Sequence, residues 1–167
     1  MISQEQIKKL AIKYQSTQLN VEREYFQHLF LSYFYQHPQA KKIYFKGGTA
    51  LRIIYSSPRF SEDLDFSAKK MNIENVEQAL VNSLNEIERE NISVAIKEAK
   101  TTSEGYLASI MFEATGFRPV LIEIEISLRQ TETASQVIAI NNDFIPPYTI
   151  LSLSLQQLVG EKIQALL

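Results

Sequence analysis

The chain has 167 residues, 45% of them apolar, and its 17 basic and 19 acidic residues give a net charge of -2. The charge excludes an overall positive field that would draw the chain to nucleic acid or an anionic membrane, and the absence of cysteine excludes disulfides and thiolate metal sites. We expect one domain over residues 1–167, cytoplasmic and without membrane contact, because no apolar stretch approaches the ~20 residues that span a bilayer.

The first 40 residues predict two helices. Ser3 is suited to cap a helix over residues 4–14, and Asn20 to cap a second helix that ends before Pro38. The second helix has apolar and aromatic residues at helical spacing, namely Val21, Tyr25, Phe26, Leu29, Phe30, Tyr33 and Phe34. An aromatic stripe at this spacing is typical of a core face rather than of a stacking platform.

A strand, a tight turn and a helix follow, at 43–45, Gly47-Gly48 and 49–55. Glycines lack a Cβ, so their backbone N–H groups can approach an anion closely, and the start of a helix adds a partial positive charge. The pattern therefore predicts a phosphate cradle. An ordinary tight turn is the alternative.

Asp63 and Asp65 flank Leu64 in a stretch with a β pattern. Residues i and i+2 of a strand point to the same face, so both carboxylates would face one site. Such a pair suits hard divalent cations, and two such ions stabilise the attacking and leaving oxygens of nucleotidyl transfer. A solvated edge strand is the alternative.

The remaining sequence predicts a helix over 73–90, three antiparallel strands at about 92–99, 106–114 and 119–128, and a final helix over 154–167 with Ser154 and Gln157 as a capping box. Glu123 and Glu125 alternate with apolar residues in the third strand. If this strand lies beside Asp63 and Asp65, one of the two glutamates could bind metal or accept a proton. A strand with one solvated face is the alternative.

Four stretches of the sequence resemble, in order, the motifs of a known family. Residues 46–51 (KGGTAL) and 59–66 (RFSEDLDF) are similar to the paired motifs of the AbiEii/AbiGii toxin group within the polymerase-beta-like nucleotidyltransferases. Residues 124–127 (IEIS) resemble the third-acid strand of that group, and residues 160–166 (GEKIQAL) its later helix bearing a lysine. The resemblance implies an α+β polymerase-beta-like nucleotidyltransferase fold, a small mixed sheet with helices packed on it.

The resemblance also implies an enzyme that transfers a nucleotide from an NTP with two Mg²⁺ ions and releases pyrophosphate. Asp63 and Asp65 would bind metal, and Glu125 would be the third acid, preferred to Glu123 because its neighbours match the family strand better. The implied nucleotide-binding residues are Lys46, Gly47, Gly48, Thr49, Arg59, Ser61 and Lys162, the last reaching the triphosphate.

The implied acceptor is an RNA, such as tRNA, or a protein, and the implied biology is the toxin of a toxin–antitoxin or abortive-infection system with a cognate antitoxin. The alternatives are a small-molecule (antibiotic) nucleotidyltransferase and a non-catalytic nucleotide-binding remnant. Members of the family continue past the lysine helix into a helical region that helps form the acceptor side. Few residues follow Lys162, so we expect this region to be short or missing.

Overall fold

A mixed sheet of seven strands carries the fold in the residues that the structure, a computed structural model, describes: 1–69, 71–128 and 134–164. The strands are β1 (Ile43–Lys46), β2 (Leu64–Ala68), β3 (Ser93–Thr101), β4 (Gly105–Glu113), β5 (Val120–Leu128), β6 (Ser135–Ile140) and β7 (Tyr148–Leu153). The helices are α1 (Gln4–Lys13), α2 (Gln18–Phe34), α3 (Gly47–Tyr55), α4 (Ile73–Glu88) and α5 (Leu155–Gln164), with a short 3-10 helix at Pro38–Lys42.

The strand order is β3-β4-β5-β2-β1-β7-β6. β2 is parallel to β5 and β1 is parallel to β7, whereas the other neighbouring strands are antiparallel. The antiparallel pairing predicted for the three strands after α4 is confirmed, because β3 pairs with β4 and β4 with β5 in antiparallel register. Short connections between these strands favour this arrangement. The predicted α+β class with a mixed sheet is also confirmed.

The aromatic stripe of α2 lies in the core. Tyr25, Phe26, Phe30 and Phe34 are fully buried. The Phe26 ring stacks on that of Phe112 in β4, with the centroids 5.5 Å apart. Each buried aromatic side chain contributes roughly 1.5–3 kcal/mol of transfer free energy, so this stripe is a main attachment of α2 to the sheet. The core interpretation of the stripe is confirmed.

The predicted elements differ from the structure at three places. α3 begins at Gly47, directly after β1, so Gly47 and Gly48 belong to the first turn of the helix and not to a separate tight turn before it. Asn20 is not the cap of α2, because the Thr17 side chain accepts the Asn20 backbone N–H and the helix begins at Gln18. β6 and β7 were not predicted; β7 begins just after Pro146-Pro147 and is fixed by pairing with β6 and with the distant β1. The end of the predicted last helix, residues 165–167, lies outside the described residues. No helix in the described ranges is long and apolar enough to cross a bilayer.

The register of the central strands builds the floor of a site. Lys46 lies opposite Asp65 across β1 and β2, and Asp65 lies opposite Glu125 across β2 and β5. Register partners project from the same face of a sheet, so these three side chains form a row. Their neighbours in β2 and β5, such as Leu64 and Ile124, are fully buried.

Candidate active site

The first turn of α3, which directly follows β1, fits closely against an acidic side chain. Gly47 has φ +80°, a conformation that L side chains rarely adopt, and a Cβ there would lie 2.1 Å from Oδ2 of Asp65. A Cβ on Gly48 would lie 3.1 Å from Oγ of Ser61. No side chain caps the start of α3, so its first amides stay available to a ligand. The turn therefore has the space and the donors for an anion beside a carboxylate.

The row of charges on the sheet is unbalanced. The Lys46 Nζ lies 3.2 Å from Oε2 of Glu161 in α5, so this lysine is shared between Asp65 and a second acid. Burial raises the pKa of Asp65, and together with the nearby carboxylates of Glu125 and Asp63 it brings this pKa to about 6, against the opposing effect of Lys46. Like charges collected in this way are typical of functional sites.

Asp63 lies immediately before β2 and is held through its main chain. The hydroxyl of Thr49, which is fully buried, donates a hydrogen bond to the Asp63 carbonyl. Burial and the neighbouring Glu62 raise the pKa of the Asp63 carboxyl, and Arg23 lowers it. The Thr49 side chain is thus engaged in packing α3 against this segment, and a contact from Thr49 to a phosphate would come from its backbone N–H. Its role in binding stays a prediction.

A cavity of about 370 Å³ collects the predicted side chains. It is lined by Lys46, Gly47, Gly48, Leu51, Ser57, Arg59, Ser61, Asp65, Glu125, Leu158, Glu161 and Lys162. All the predicted site residues line it except Thr49 and Asp63. Glu125 lines this cavity and Glu123 does not, and the choice of Glu125 as the third acid stays a prediction.

Four of the lining residues were not predicted: Leu51, Ser57, Leu158 and Glu161. Glu161 has a signal in the sequence, because it precedes Lys162 in the lysine-helix motif, and Leu158 lies about one turn earlier on α5. Ser57 gives no signal, since its place depends on the path of the loop after α3. Leu51 and Leu158 add apolar surface to the site, and Glu161 adds an ion pair with Lys46.

A second group of charged side chains joins α2 to α3. Glu24 Oε2 lies 3.0 Å from Nε of Arg52, whose Nη1 donates to the carbonyl of Ser57. His28 bonds the hydroxyl of Tyr148 in β7 at 2.7 Å, and burial lowers its pKa to about 3. At neutral pH this histidine is uncharged, and the cluster has a packing role.

The chemistry of the carboxylates fits a hard cation. Asp63, Asp65 and Glu125 supply the oxygen ligands that Mg²⁺ prefers, and a cation would relieve the repulsion that raises the pKa of Asp65. Within residues 1–69, 71–128 and 134–164, no three acidic or histidine side chains surround a common point. Mg²⁺ usually takes one or two carboxylates together with substrate phosphates and water, so the set fits a metal–nucleotide complex rather than an all-protein cage.

Solved structures share this architecture. MenT4, a nucleotidyltransferase toxin from Mycobacterium tuberculosis H37Rv, matches with a TM-score of 0.73 and 16% identity over 98% of this chain and 58% of its own. JHP933 from Helicobacter pylori matches with a TM-score of 0.56 and 21% identity over 87% of this chain and 56% of its own. No curated protein matches the chain. The fold and the cavity therefore define a protein with a nucleotidyltransferase fold.

The sequence identifies the family within that class. The family profile described as "Nucleotidyl transferase AbiEii toxin, Type IV TA system" matches residues 29–167, and the chain belongs to this family. The resemblance found in the motifs is confirmed. The chain spans little more than half the length of the solved structures that it matches.

Proposed function

We propose that this chain binds an NTP in the 370 Å³ cavity and transfers a nucleotide to a hydroxyl of an RNA, such as tRNA, or of a protein. It would act as the toxin of a toxin–antitoxin pair, with a cognate antitoxin as its partner. The observation that carries the proposal is the position of Asp65. Its carboxylate lies in register with Lys46 and Glu125 and against the Gly47 turn.

The phosphates would bind at the start of α3. The backbone N–H groups of Gly47 and Gly48 and the partial positive charge of the helix terminus would hold them, since no side chain occupies these donors. Arg59 and Lys162, which line the same cavity, would neutralise the β- and γ-phosphates, and the Ser61 hydroxyl lies close to Gly48. The triphosphate would thus lie between the turn and α5.

The transfer step needs an in-line attack. The acceptor oxygen would bond to the α-phosphorus, the bond from that phosphorus to the β-phosphate oxygen would break, and pyrophosphate would leave. Glu125, which lies opposite Asp65 across β2 and β5, would take the hydroxyl proton or bind metal beside Asp65. Asp63 and Asp65 would hold Mg²⁺, and the bound ions would stabilise the attacking and leaving oxygens.

The direct test is labelling. The purified chain is incubated with each α-³²P NTP, Mg²⁺ and either total RNA or total protein. We expect label to become bound to one of the two, and to fall by roughly a thousandfold or more in Asp65→Asn because a metal ligand is lost. Asp143→Asn, at an exposed aspartate that does not line the cavity, is the matched control and should label like the wild type.

The outcomes separate the alternatives. Equal labelling by Asp65→Asn would contradict the proposed site. An NTP that binds without any transfer would favour the non-catalytic remnant. Transfer only to an added aminoglycoside would favour the small-molecule enzyme, which shares the Gly-Gly turn and the paired aspartates.

A further inference from the structure

The segment between α3 and β2, residues 56–63, has no regular secondary structure, although it carries much of the candidate site. We call it the 56–63 loop. Arg59 and Ser61 line the cavity from this loop, and Asp63 is its last residue. Backbone groups outside helices and sheets need other hydrogen-bond partners, so the shape of the loop depends on whatever side chains bind its carbonyls.

Gln27 supplies two of these bonds from α2. Its side-chain amide nitrogen donates to the carbonyl of Ser61 at 3.0 Å and to the carbonyl of Glu62 at 3.1 Å. The residue is only 2% exposed. A side-chain amide has two N–H donors, and here both are used on successive carbonyls of the loop. Water has little access to replace them.

The two carbonyls lie where the loop contacts the site. Ser61 is the residue whose Oγ lies beside Gly48, and Glu62 directly precedes Asp63. A shift of the main chain at these positions would move the hydroxyl relative to the phosphate cradle and the aspartate relative to Asp65. The bond from Thr49 to the Asp63 carbonyl fixes the end of the loop from α3, whereas Gln27 fixes its middle from α2.

We propose that Gln27 is a positioning residue for nucleotide binding, which holds the 56–63 loop in the conformation that binds the NTP. The inference rests on the proposed function for its kinetic test and on the structure alone for its hydrogen bonds. Position 27 precedes the segment 29–167 that the family profile matches, so the family assignment does not include it.

The kinetic test uses Gln27→Met, which keeps the volume of the side chain and removes both donors. If the loop then adopts its binding conformation for about a tenth of the time, the apparent KM for NTP rises about tenfold. The kcat at saturating NTP stays within about twofold, because the ordered complex is unchanged. Gln27→Glu places a carboxylate against the two carbonyls and should raise KM further.

The control is Gln78→Met, the same change at an exposed glutamine of α4 whose amide bonds Asn82. We expect its KM and kcat to equal those of the wild type. A fall in kcat at unchanged KM in Gln27→Met would indicate general loss of folded enzyme and would overturn the proposal.

A second measurement does not require turnover. Amide hydrogen exchange over residues 56–63 should be faster in Gln27→Met than in the wild type or Gln78→Met, and affinity for a non-hydrolysable NTP should fall about tenfold. Unchanged exchange and affinity would overturn the role of Gln27. A wild-type chain that transfers no nucleotide would contradict the proposed function, and the exchange and affinity results would still test Gln27.

Discussion

Two groups of acidic side chains in this fold differ in how their charge is balanced. Glu24 in α2 is almost fully buried and is paired with Arg52, whose guanidinium also lies 4.0 Å from the Phe60 ring centroid. Asp65 in β2 has the carboxylates of Glu125 and Asp63 as electrostatic neighbours, and the nearby Lys46 is bonded to Glu161. One group is internally neutralised and the other accumulates negative charge.

The difference separates packing from function. A buried carboxylate that is hydrogen-bonded to a cation joins two elements at little net cost in stability. Removing the cation lowers stability strongly, because the carboxylate is then buried without a partner. Carboxylates that lie beside one another without enough cations lower the stability of the fold. They become favourable when a ligand supplies the missing positive charge. The Glu24–Arg52 pair therefore positions α3 and the loop after it, and the Asp65 group is the part of the site left for a cation and a nucleotide.

The largest expected effect is on the paired group. Arg52→Met leaves the Glu24 carboxylate buried without its cation, and we expect the free energy of unfolding to fall by roughly 3–5 kcal/mol. Urea unfolding at pH 7 measures the loss. Arg89→Met is the matched control, because Arg89 pairs with Glu86 on the surface and such pairs contribute about 0–1 kcal/mol.

The double variant Glu24→Gln with Arg52→Met sharpens this test. It removes the buried charge together with its partner, so it should be more stable than Arg52→Met alone. A single variant as stable as Arg89→Met would contradict the view that the pair is a structural element.

The next prediction concerns the Asp65 group, where removal of a charge should raise the free energy of unfolding. Unfolded, Asp65 releases its proton near pH 3.8, whereas in the fold its pKa is about 6. Between these values unfolding releases a proton, so the contribution of Asp65 to stability falls as pH rises from about 4 to about 6 and then levels off. Asp65→Asn lacks this proton. Without Mg²⁺ we expect the free energy of unfolding of Asp65→Asn to rise relative to that of the wild type across this pH range, by about 1–3 kcal/mol at pH 7. Urea unfolding at a series of pH values measures the difference.

Asp143→Asn provides the comparison within the same pH series. Hydrogen bonds from Lys13 and Tyr14 lower the pKa of Asp143, so its charge contributes stability above its ordinary value of 3.8 that is lost as pH falls through its folded pKa. The variant should be less stable than the wild type at pH 7, by under about 1 kcal/mol because the pair is solvent-exposed. If both variants shifted stability in the same direction, the contrast between the two groups would be wrong.

The local pattern of the sequence predicted most of the helices and strands, and it predicted that acidic side chains of neighbouring strands share one face of the sheet. Glycine, proline and the spacing of apolar residues act over a few positions, and they were sufficient for the change from strand to helix near Gly47 and for the strand around Asp65, although the helix begins at Gly47 and not after the glycines. The strand β7 was missed because it is defined by pairing with β1, about a hundred residues earlier, and β6 was missed with it because β6 is the edge strand that pairs with β7. Nonlocal pairing leaves little trace in a short stretch.

The candidate site shows the same limit. The strand pattern predicted Glu123 or Glu125 as a partner of the aspartates on the condition that the two strands are adjacent. The register meets that condition and sets Glu125 opposite Asp65. Gln27 could not be found in this way. It is one polar residue on an aromatic helix, and its two hydrogen bonds exist only because α2 packs against the 56–63 loop.

A last prediction tests how far the negative charge of the Asp65 group extends across the cavity. Lys162 is exposed on α5 but lines the cavity, so Lys162→Ala should raise the KM for NTP about tenfold through loss of one charge contact with the triphosphate. The Mg²⁺ concentration for half-maximal rate should stay the same, because the lysine lies outside the carboxylate group. Lys8→Ala, at an exposed position of α1, is the control. An unchanged KM in Lys162→Ala would limit the nucleotide site to the Gly47 turn, Arg59 and the sheet, and would make Lys162 a surface residue of α5.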